Sequence, residues 1–412
     1  MNDHPPKVKA PGTVLFIGFW GLDDPLTASS LLPGARTLLE RFGTERVILA
    51  TVERGSAPPS LRLPEGIQHV PLHASTMRPK VLGRTLDHVR MARDLAGLVR
   101  REKVGLIMAR TANAGGLAHR VHRRTGVPYI VESFEPHAEY MADCGEWSRW
   151  GPLYRAARWL ERAQMRAAVG LITVANTYRD RLLREGVPPE RLAVAPCPVP
   201  LDRFAPDGSV RARIRADLGG PDILVGVYAG KFGGLYHRER AFALFAAAHA
   251  HFGARFRLVV LTAEPHDAVI ASLRASGFPA EHAVVRAVPH AEVPGWLNAA
   301  DFAFAPYRAT PSSAYLSPVK VGEYWACGLP VMLTPGVGDD AAIIAQHTLA
   351  GVLHDPERTD HGAAFACMQR VLDDPAHRTL CRSLAERHRT IAHTAAAYAR
   401  SIDRLTSAGT GR

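Results

Sequence analysis

Cysteine is scarce in this chain of 412 residues, and a long apolar run is absent. The five cysteines are scattered and include no Cys-x-x-Cys pair. This argues against a zinc site and a disulfide framework and indicates a reducing compartment. No segment approaches the roughly 18 consecutive apolar residues of a membrane-spanning helix. These absences predict a cytoplasmic protein.

Motifs for several classes of ligand are missing as well. The sequence has neither an Asp-x-Asp motif for a divalent cation nor a Gly-x-Gly-x-x-Gly turn for a dinucleotide. It also has no zinc finger, no ribonucleoprotein motif and no basic stripe interleaved with aromatic residues. We therefore expect no nucleic-acid partner.

The net charge of +11 is concentrated in the first half of the chain. Residues 1–205 contain 29 Lys and Arg against 20 Asp and Glu, whereas the remainder contains 21 against 19. Such asymmetry indicates an anionic partner. An anionic membrane surface or a phosphate-bearing lipid fits better than nucleic acid, so we expect peripheral association with the inner face of a membrane. The alternative is a basic, solvated surface without a partner.

Length and patterning predict two domains. A chain of 412 residues exceeds what one hydrophobic core supports, and its 47% hydrophobic content suffices for two. Short apolar strands alternate with amphipathic helices in both halves, which is typical of doubly wound, largely parallel α/β sheets. The predicted parts are a first domain at 1–196, a proline-dense linker at 197–210, a second domain at 211–383 and a disordered tail at 408–412.

A segment between residues 137 and 168 is unusually rich in tryptophan and arginine. An amphipathic helix of this composition is typical of a membrane interface or of an acceptor-lipid site. The alternative, which we prefer, is that the tryptophans pack the helix onto the sheet. The residues concerned are Trp147, Trp150, Tyr154 and Trp159, with Arg149, Arg155, Arg158, Arg162 and Arg166.

One stretch of the second half predicts a short helix with both ends marked. Ser317 suits the N-cap and Pro318 the first helical position, while Gly328 suits the left-handed residue after the helix. Lys320 and Glu323 then share one face. Because strand-like segments flank the stretch, its carboxylate should open onto the carboxyl ends of parallel strands, where α/β sheets bind ligands. The alternative is a solvated Lys–Glu contact on a surface helix.

A glycine-containing loop follows a predicted buried strand at residues 223–229 and precedes an alanine-rich helix. Backbone N–H groups in such a turn, next to the positive end of the helix dipole, can bind phosphate. Lys231 and Arg238 flank the loop and could neutralise a diphosphate. The alternative is an ordinary structural turn.

Several segments of the chain together resemble one enzyme family. They resemble, in the same order, the donor domain of retaining glycosyltransferases of the GT-B fold, in particular glycosyltransferase family 4. The segments are Val227–Phe232, Val288–Pro294, Ala300–Tyr307 and Ser317–Val331, and Pro198–Phe204 resembles the family's hinge. The resemblance implies two Rossmann-like, doubly wound α/β domains facing across a cleft. It also implies a C-terminal helix, at 384–407, that crosses back to the N-terminal domain.

The resemblance places a donor site in the second domain. Glu323 matches the acid that hydrogen-bonds the ribose hydroxyls of a sugar nucleotide, and Lys231 and Arg238 resemble the basic pair on its diphosphate. The sequence departs from the family at two positions, since Tyr315 replaces the first acid and Tyr236 stands five positions after Lys231. The expected donor-binding residues are Gly230, Lys231, Gly233, Gly234, Arg238, Tyr315, Leu316, Ser317, Lys320 and Glu323.

The resemblance also implies an acceptor side in the first domain. His137 stands about where the family has a histidine near the donor sugar, so it joins Glu323 and Lys231 as a candidate catalytic residue. The alternative is that His137 caps the following helix. The other acceptor-side candidates are Gly18, Gly21, Glu132 and Glu135.

The resulting prediction is a retaining, metal-independent glycosyltransferase without a cofactor. It would move a sugar from a UDP- or GDP-sugar to a hydroxyl acceptor, such as a lipid-linked or polysaccharide intermediate. In the resembled enzymes, basic side chains and a helix N-terminus stabilise the leaving diphosphate. Two alternatives stay open: a sugar-nucleotide epimerase or hydrolase on the same fold, and a non-catalytic GT-B binding subunit.

Overall fold

The chain divides into two compact units. A computed structural model describes residues 10–24, 26–55, 60–75, 80–133 and 135–409. The first unit comprises Met1–Pro196 and Ile391–Arg412, and the second comprises Cys197–Thr390. Within the described ranges, no helix is both long enough and apolar enough to cross a membrane.

Parallel β-strands form one sheet in each unit. In chain order the strands are β1 (Thr13–Ile17), β2 (Arg46–Glu53), β3 (Ile67–His73), β4 (Leu106–Arg110), β5 (Tyr129–Ser133), β6 (Gly170–Thr173), β7 (Leu192–Val194), β8 (Leu224–Ala229), β9 (Phe256–Leu261), β10 (Ala283–Arg286), β11 (Phe302–Ala305), β12 (Val331–Leu333) and β13 (Gly351–Leu353). The first sheet has the order β3-β2-β1-β4-β5-β6-β7, and the second has the order β10-β9-β8-β11-β12-β13. The order reverses between β1 and β4 and between β8 and β11, and ligands of such sheets bind at these points.

Helices connect the strands and cover both sheets. They are α1 (Leu32–Phe42), α2 (Lys80–Arg101), α3 (Ala112–Thr125), α4 (His137–Asp143), α5 (Pro152–Ala167), α6 (Asn176–Arg184), α7 (Gly208–Leu218), α8 (Arg238–Phe252), α9 (His266–Ala275), α10 (Val293–Ala299), α11 (Val319–Ala326), α12 (Gly338–Gln346), α13 (Gly362–Asp373), α14 (His377–His388) and α15 (Ile391–Gly409). The predicted class, two doubly wound α/β units, is confirmed.

Central strands are apolar along their whole length because both of their faces are covered. In β1, every residue from Val14 to Ile17 is fully buried. In the second sheet, Gly226 leaves room for two aromatic rings, since a Cβ there would lie 2.7 Å from Phe304 and 2.9 Å from Phe256. Continuous burial of this kind is characteristic of parallel sheets.

The last helix, α15, belongs to the first unit. Its Tyr398 is fully buried and donates a hydrogen bond to the Glu132 carboxylate at the end of β5. Arg110, at the end of β4, forms an ion pair with the same carboxylate. The predicted helix at 384–407 is therefore two helices. Residues up to His388 belong to α14 in the second unit, and α15 starts at Ile391.

The predicted tail also needs correction. Residues 408 and 409 continue α15, and residues 410–412 lie outside the described part of the chain.

The predicted linker at 197–210 is an integral part of the second unit. The Val199 N–H donates to the Arg389 carbonyl at 2.8 Å, and the Phe204 side chain is fully buried. The Asp207 carboxylate accepts from the N–H groups of Ser209 and Val210 and so caps α7. The prolines correctly indicated a segment without helix or strand, but the segment ends at residue 207 and packs against its own unit.

Candidate functional site

Helix α11 lies at the reversal point of the second sheet and turns its polar side chains inward. Both Lys320 and Glu323 are buried, with 9% and 7% of their surfaces exposed. The alternative of a solvated contact on a surface helix is therefore wrong. The two side chains form no ion pair with each other, although each lies close enough to affect the other electrostatically.

The N-terminus of α11 is anchored by tertiary contacts. The helix begins at Val319 without a side-chain cap, so the predicted N-cap role of Ser317 is wrong. The Ser317 hydroxyl instead accepts hydrogen bonds from the Cys197 N–H, at 3.1 Å, and from the Arg389 guanidinium. Arg389 is itself buried in an ion pair with Asp340. These contacts fix where α11 starts.

Helix α11 ends where the sequence predicted. Gly328 has a φ of 78°, in the left-handed region. The Leu329 N–H then returns to the Tyr324 carbonyl at 2.9 Å. A glycine satisfies this geometry without steric strain.

The ammonium group of Lys320 is surrounded by tyrosine rings. Its Nζ lies 4.0 Å from the ring centre of Tyr236, 4.5 Å from that of Tyr228 and 5.9 Å from that of Tyr307. It has no hydrogen-bond acceptor among the described residues. Burial lowers its pKa from 10.5 to about 7, against the opposing effect of Glu323. A buried cation without an acceptor is suited to bind an anion.

The loop after β8 passes directly over this ammonium group. Gly230 has a φ of 134°, and a Cβ there would lie 2.8 Å from Lys320 Nζ, so a larger residue would displace the lysine. A tight turn follows, in which Gly233 and Tyr236 exchange backbone hydrogen bonds of 2.9 and 3.1 Å. Gly233 and Gly234 both have positive φ, at 90° and 65°. The three glycines therefore meet conformational or steric demands of the loop.

The two predicted diphosphate-binding cations differ in their surroundings. The Lys231 side chain is exposed, beside the Lys320 site. Arg238, at the start of α8, forms an ion pair of 2.5 Å with Glu264, which also accepts from the Phe232 N–H at 2.8 Å. The charge of Arg238 is thus already partly balanced within the protein.

Sequence reasoning missed a histidine at the Glu323 carboxylate. His290 Nε2 lies 2.8 Å from Glu323 Oε1, and the histidine side chain is 41% exposed. The second carboxylate oxygen accepts no hydrogen bond from the described residues. His290 is contained in the segment Val288–Pro294, but it is 33 residues from Glu323 along the chain. Only its position in the loop after β10 could have suggested the contact.

In the first unit, His137 and Glu135 lie together at the end of β5. The His137 Nδ1 is 3.4 Å from Glu135 Oε1, and its Nε2 is 3.1 Å from the Asn113 amide nitrogen. His137 makes no capping hydrogen bond to α4, because Glu161 accepts from the Ala138 N–H at 2.8 Å. The capping alternative is therefore wrong. Asn113 is a further polar partner that the sequence did not indicate.

The other acceptor-side candidates serve packing within the unit. Glu132 is 4% exposed and is bound by Arg110 and Tyr398. Its burial raises the pKa of the carboxyl group, and the two partners oppose that effect. A Cβ at Gly18 would lie 2.4 Å from Leu31, and one at Gly21 would lie 2.7 Å from a Glu53 oxygen.

Both halves of the sequence match known enzyme domains. Residues 34–198 match the family model described as Glycosyl transferase 4-like domain, and residues 227–374 match Glycosyl transferases group 1. The chain is a glycosyltransferase. A comparison with curated protein sequences finds no match.

Solved structures establish the fold of this glycosyltransferase. Sucrose-phosphate synthase from Thermosynechococcus elongatus has a TM-score of 0.75 at 16% identity, with 97% of this chain and 100% of that chain covered. Anabaena Alr3699/HepE in complex with UDP-glucose has a TM-score of 0.68 at 13% identity, covering 96% and 99%. WaaG, a glycosyltransferase involved in lipopolysaccharide biosynthesis, has a TM-score of 0.66 at 16% identity, covering 93% and 98%. The GT-B fold that the sequence predicted is confirmed.

Proposed function

We propose that this glycosyltransferase is a retaining enzyme that transfers a sugar from a UDP- or GDP-sugar to a hydroxyl acceptor. The observation that carries the proposal is the pairing, on the buried side of α11, of a carboxylate with an ammonium group that has no hydrogen-bond acceptor in the described part of the chain. Glu323 and Lys320 lie one helical turn apart. That separation suits the two ends of a nucleoside diphosphate, the ribose and the phosphates.

Of the two buried groups, the Glu323 carboxylate is suited to bind the ribose. His290 binds one oxygen of Glu323, and the other oxygen accepts nothing from the described residues. A carboxylate held in this way can accept hydrogen bonds from vicinal hydroxyl groups. We assign this role to Glu323.

The cationic side chains near α11 are suited to bind the diphosphate leaving group. Lys320 is buried and Lys231 is exposed beside it, while Arg238 stands at the start of α8. Fixed cations stabilise the negative charge that develops as the glycosidic bond to the diphosphate breaks. Since the sequence has no Asp-x-Asp motif for a divalent ion, we assign the stabilisation to these side chains.

The remaining assignments extend the same proposal. The backbone before α11 at Tyr315 and Leu316 would contact the transferred sugar, with Ser317 contributing only its backbone because its hydroxyl is engaged. His137 and Glu135, a coupled polar pair at the end of β5, would serve the acceptor side.

Two of the similar structures indicate which substrates to test first. HepE was solved with UDP-glucose, which makes UDP-glucose the first candidate donor. WaaG is involved in lipopolysaccharide biosynthesis, which favours a lipid-linked acceptor for this chain too. The proposal accordingly includes a cytoplasmic location and peripheral association with an anionic membrane surface.

A thermal-shift screen with UDP, GDP and their sugars tests donor binding. A nucleotide present at about 100 times its dissociation constant should stabilise the folded protein by about 2.7 kcal/mol. Adenosine diphosphate is the control ligand. No shift with any uridine or guanosine ligand would contradict the proposal.

Turnover separates the proposal from its alternatives. Incubation of the bound donor without acceptor should leave it unchanged, whereas epimerised donor or free sugar would identify an epimerase or hydrolase. Donor binding without transfer to any acceptor would instead favour a binding subunit. Retention is checked by the anomeric configuration of the product, measured by nuclear magnetic resonance.

We predict that His290→Ala weakens nucleotide affinity by about 10- to 100-fold, because it removes a hydrogen bond that orients a charged group. His290→Gln is the matched variant, since its amide can donate from nearly the same position as Nε2. Isothermal titration with the best nucleotide measures both. Equal loss in the two variants would show that the hydrogen bond to Glu323 is not what matters.

A further inference from the structure

Helix α5 has an inverted distribution of polarity. It buries a carboxylate and an amide, Glu161 and Gln164, which are 8% and 3% exposed. It exposes Trp159, at 58%, and Trp150 just before the helix is 90% exposed. Our preferred expectation of core packing is therefore wrong for these two tryptophans. Of the three tryptophans between residues 137 and 168, Trp147 alone is half-buried, and its ring lies edge-on against that of His137.

Specific hydrogen bonds fix this orientation of α5. Glu161 accepts from the Ala138 N–H at 2.8 Å, and the Gln164 amide donates to the Ala112 carbonyl at 2.9 Å. Gly115 makes room for the amide, because a Cβ there would lie 2.2 Å from Gln164 Oε1. Rotation of α5 to bury Trp159 would break both contacts. The tryptophan is thus held outward by the fold.

The exposed side of α5 is also cationic. Arg155, Trp159, Arg162 and Arg166 are exposed at spacings of three and four residues, so they line one side of the helix. None of these three arginines has an ion-pair partner in the described part of the chain. The one acidic residue of α5, Glu161, faces inward.

We propose that this Trp–Arg face, formed by Trp150, Arg155, Trp159, Arg162 and Arg166, docks onto an anionic lipid bilayer. Tryptophan prefers the headgroup region, where its ring is shielded and its N–H is hydrated. Arginine binds lipid phosphate groups bidentately. A helix side with one tryptophan among three arginines that have no ion-pair partner in the described residues, and a second exposed tryptophan just before the helix, complements such a surface in both polarity and charge.

The inference deepens the proposed function and rests on its membrane component. It identifies which surface would bring the acceptor side to a lipid-linked hydroxyl. Further exposed apolar side chains, Leu86 and Val89, lie on α2, which packs with α5 against α3.

Vesicle sedimentation with the full chain tests the proposal. We expect binding to vesicles of phosphatidylcholine mixed with phosphatidylglycerol and little binding to phosphatidylcholine alone. The double variant Trp150→Ser, Trp159→Ser should lower the partition coefficient by about tenfold or more. The variant Arg155→Gln, Arg162→Gln should lower it about fivefold for each arginine, because each supplies attraction to the anionic surface.

A charge-matched control is available in the second unit. Arg213 and Arg274 are exposed there, so Arg213→Gln, Arg274→Gln removes the same charge elsewhere and should leave vesicle binding unchanged. Equal loss in this control would show a general charge effect and overturn the proposal. So would binding to single-stranded RNA without binding to anionic vesicles, or vesicle binding that the tryptophan variant retains in full.

Donor binding is measured on the same variants by thermal shift with UDP and GDP. The Trp–Arg variants should respond to nucleotide as the parent protein does. If no nucleotide binds any of them, the proposed function fails while the vesicle result still stands. If nucleotide binds and vesicles do not, the docking proposal alone fails.

Discussion

Glu323→Gln is expected to lower the affinity for the donor nucleotide by about 100-fold and to lower kcat/KM at least as much. Glutamine keeps the shape of the side chain but replaces one acceptor oxygen by a donor and removes the charge. Two charge-assisted hydrogen bonds to ribose hydroxyls, at about 1.5–3 kcal/mol each, would be weakened together. Isothermal titration gives the affinity, and initial rates give kcat/KM.

The matched control for this prediction is Glu292→Gln. Glu292 is exposed and lies two residues after His290 along the chain, so the variant removes a carboxylate charge near His290 without removing a buried carboxylate. The Glu292→Gln variant should bind nucleotide with the affinity of the parent protein. Unchanged affinity in Glu323→Gln would remove the ribose contact from the proposal, and a similar loss in Glu292→Gln would indicate a non-specific charge effect.

Local sequence signals predicted most of the framework around this site. Short runs of apolar residues identified the strands, because a strand covered on both faces is apolar along its whole length. The strand expected at 223–229 is accordingly β8, at Leu224–Ala229. A glycine that must adopt positive φ identified the end of one helix, at Gly328 after α11. These features depend on residues near one another in the chain, and sequence reasoning is strongest there.

Local sequence signals did not predict contacts between residues that are far apart in the chain. Ser317 looks like an N-cap on its own, yet its hydroxyl is bound by Arg389, which lies 72 residues further along the chain. His290 reaches Glu323 only because the loop after β10 lies next to helix α11. A capping preference is worth about 1 kcal/mol, and a buried guanidinium that needs acceptors outweighs it.

The tryptophans of the α5 region show a different limit of prediction from sequence. Composition identified the segment, but whether a tryptophan is buried depends on which side of the helix the fold binds. Glu161 and Gln164 decide this, since their polar groups satisfy backbone groups inside the unit. A pattern that counts only apolar residues predicts the opposite orientation.

Lys320→Met is expected to stabilise the ligand-free protein and to weaken nucleotide binding by 100-fold or more. The buried ammonium group has no acceptor among the residues that the structure describes, so methionine of similar length removes the cost of desolvating a charge. The substitution also removes the contacts of the ammonium group with the rings of Tyr228 and Tyr236, and this loss offsets part of the gain in stability. We expect a net stabilisation of about 2–4 kcal/mol near pH 6, measured by urea unfolding.

The gain should depend on pH in a definite direction. The pKa of Lys320 is lowered from 10.5 to about 7 in the folded protein, chiefly by burial, so the unfolded chain binds more protons between these values. Stability of the parent protein relative to Lys320→Met should therefore rise from about pH 7 towards pH 10. Burial raises the pKa of Tyr228 and Tyr307 above 10, so neither tyrosine titrates in this window.

Binding of a diphosphate should reverse the pKa shift of Lys320, because an anion next to Nζ favours the charged form. Nucleotide binding at pH 8 is then accompanied by proton uptake, seen as a dependence of the binding enthalpy on the buffer. Lys320→Met should lose that dependence. Lys231→Met, in which the exposed neighbouring lysine is removed, is the control for stability and should change it by less than about 0.5 kcal/mol. Nucleotide binding without proton uptake in the parent protein would show that the ammonium group is not the diphosphate ligand. A destabilised Lys320→Met would show that burial of the ammonium group does not destabilise the ligand-free protein.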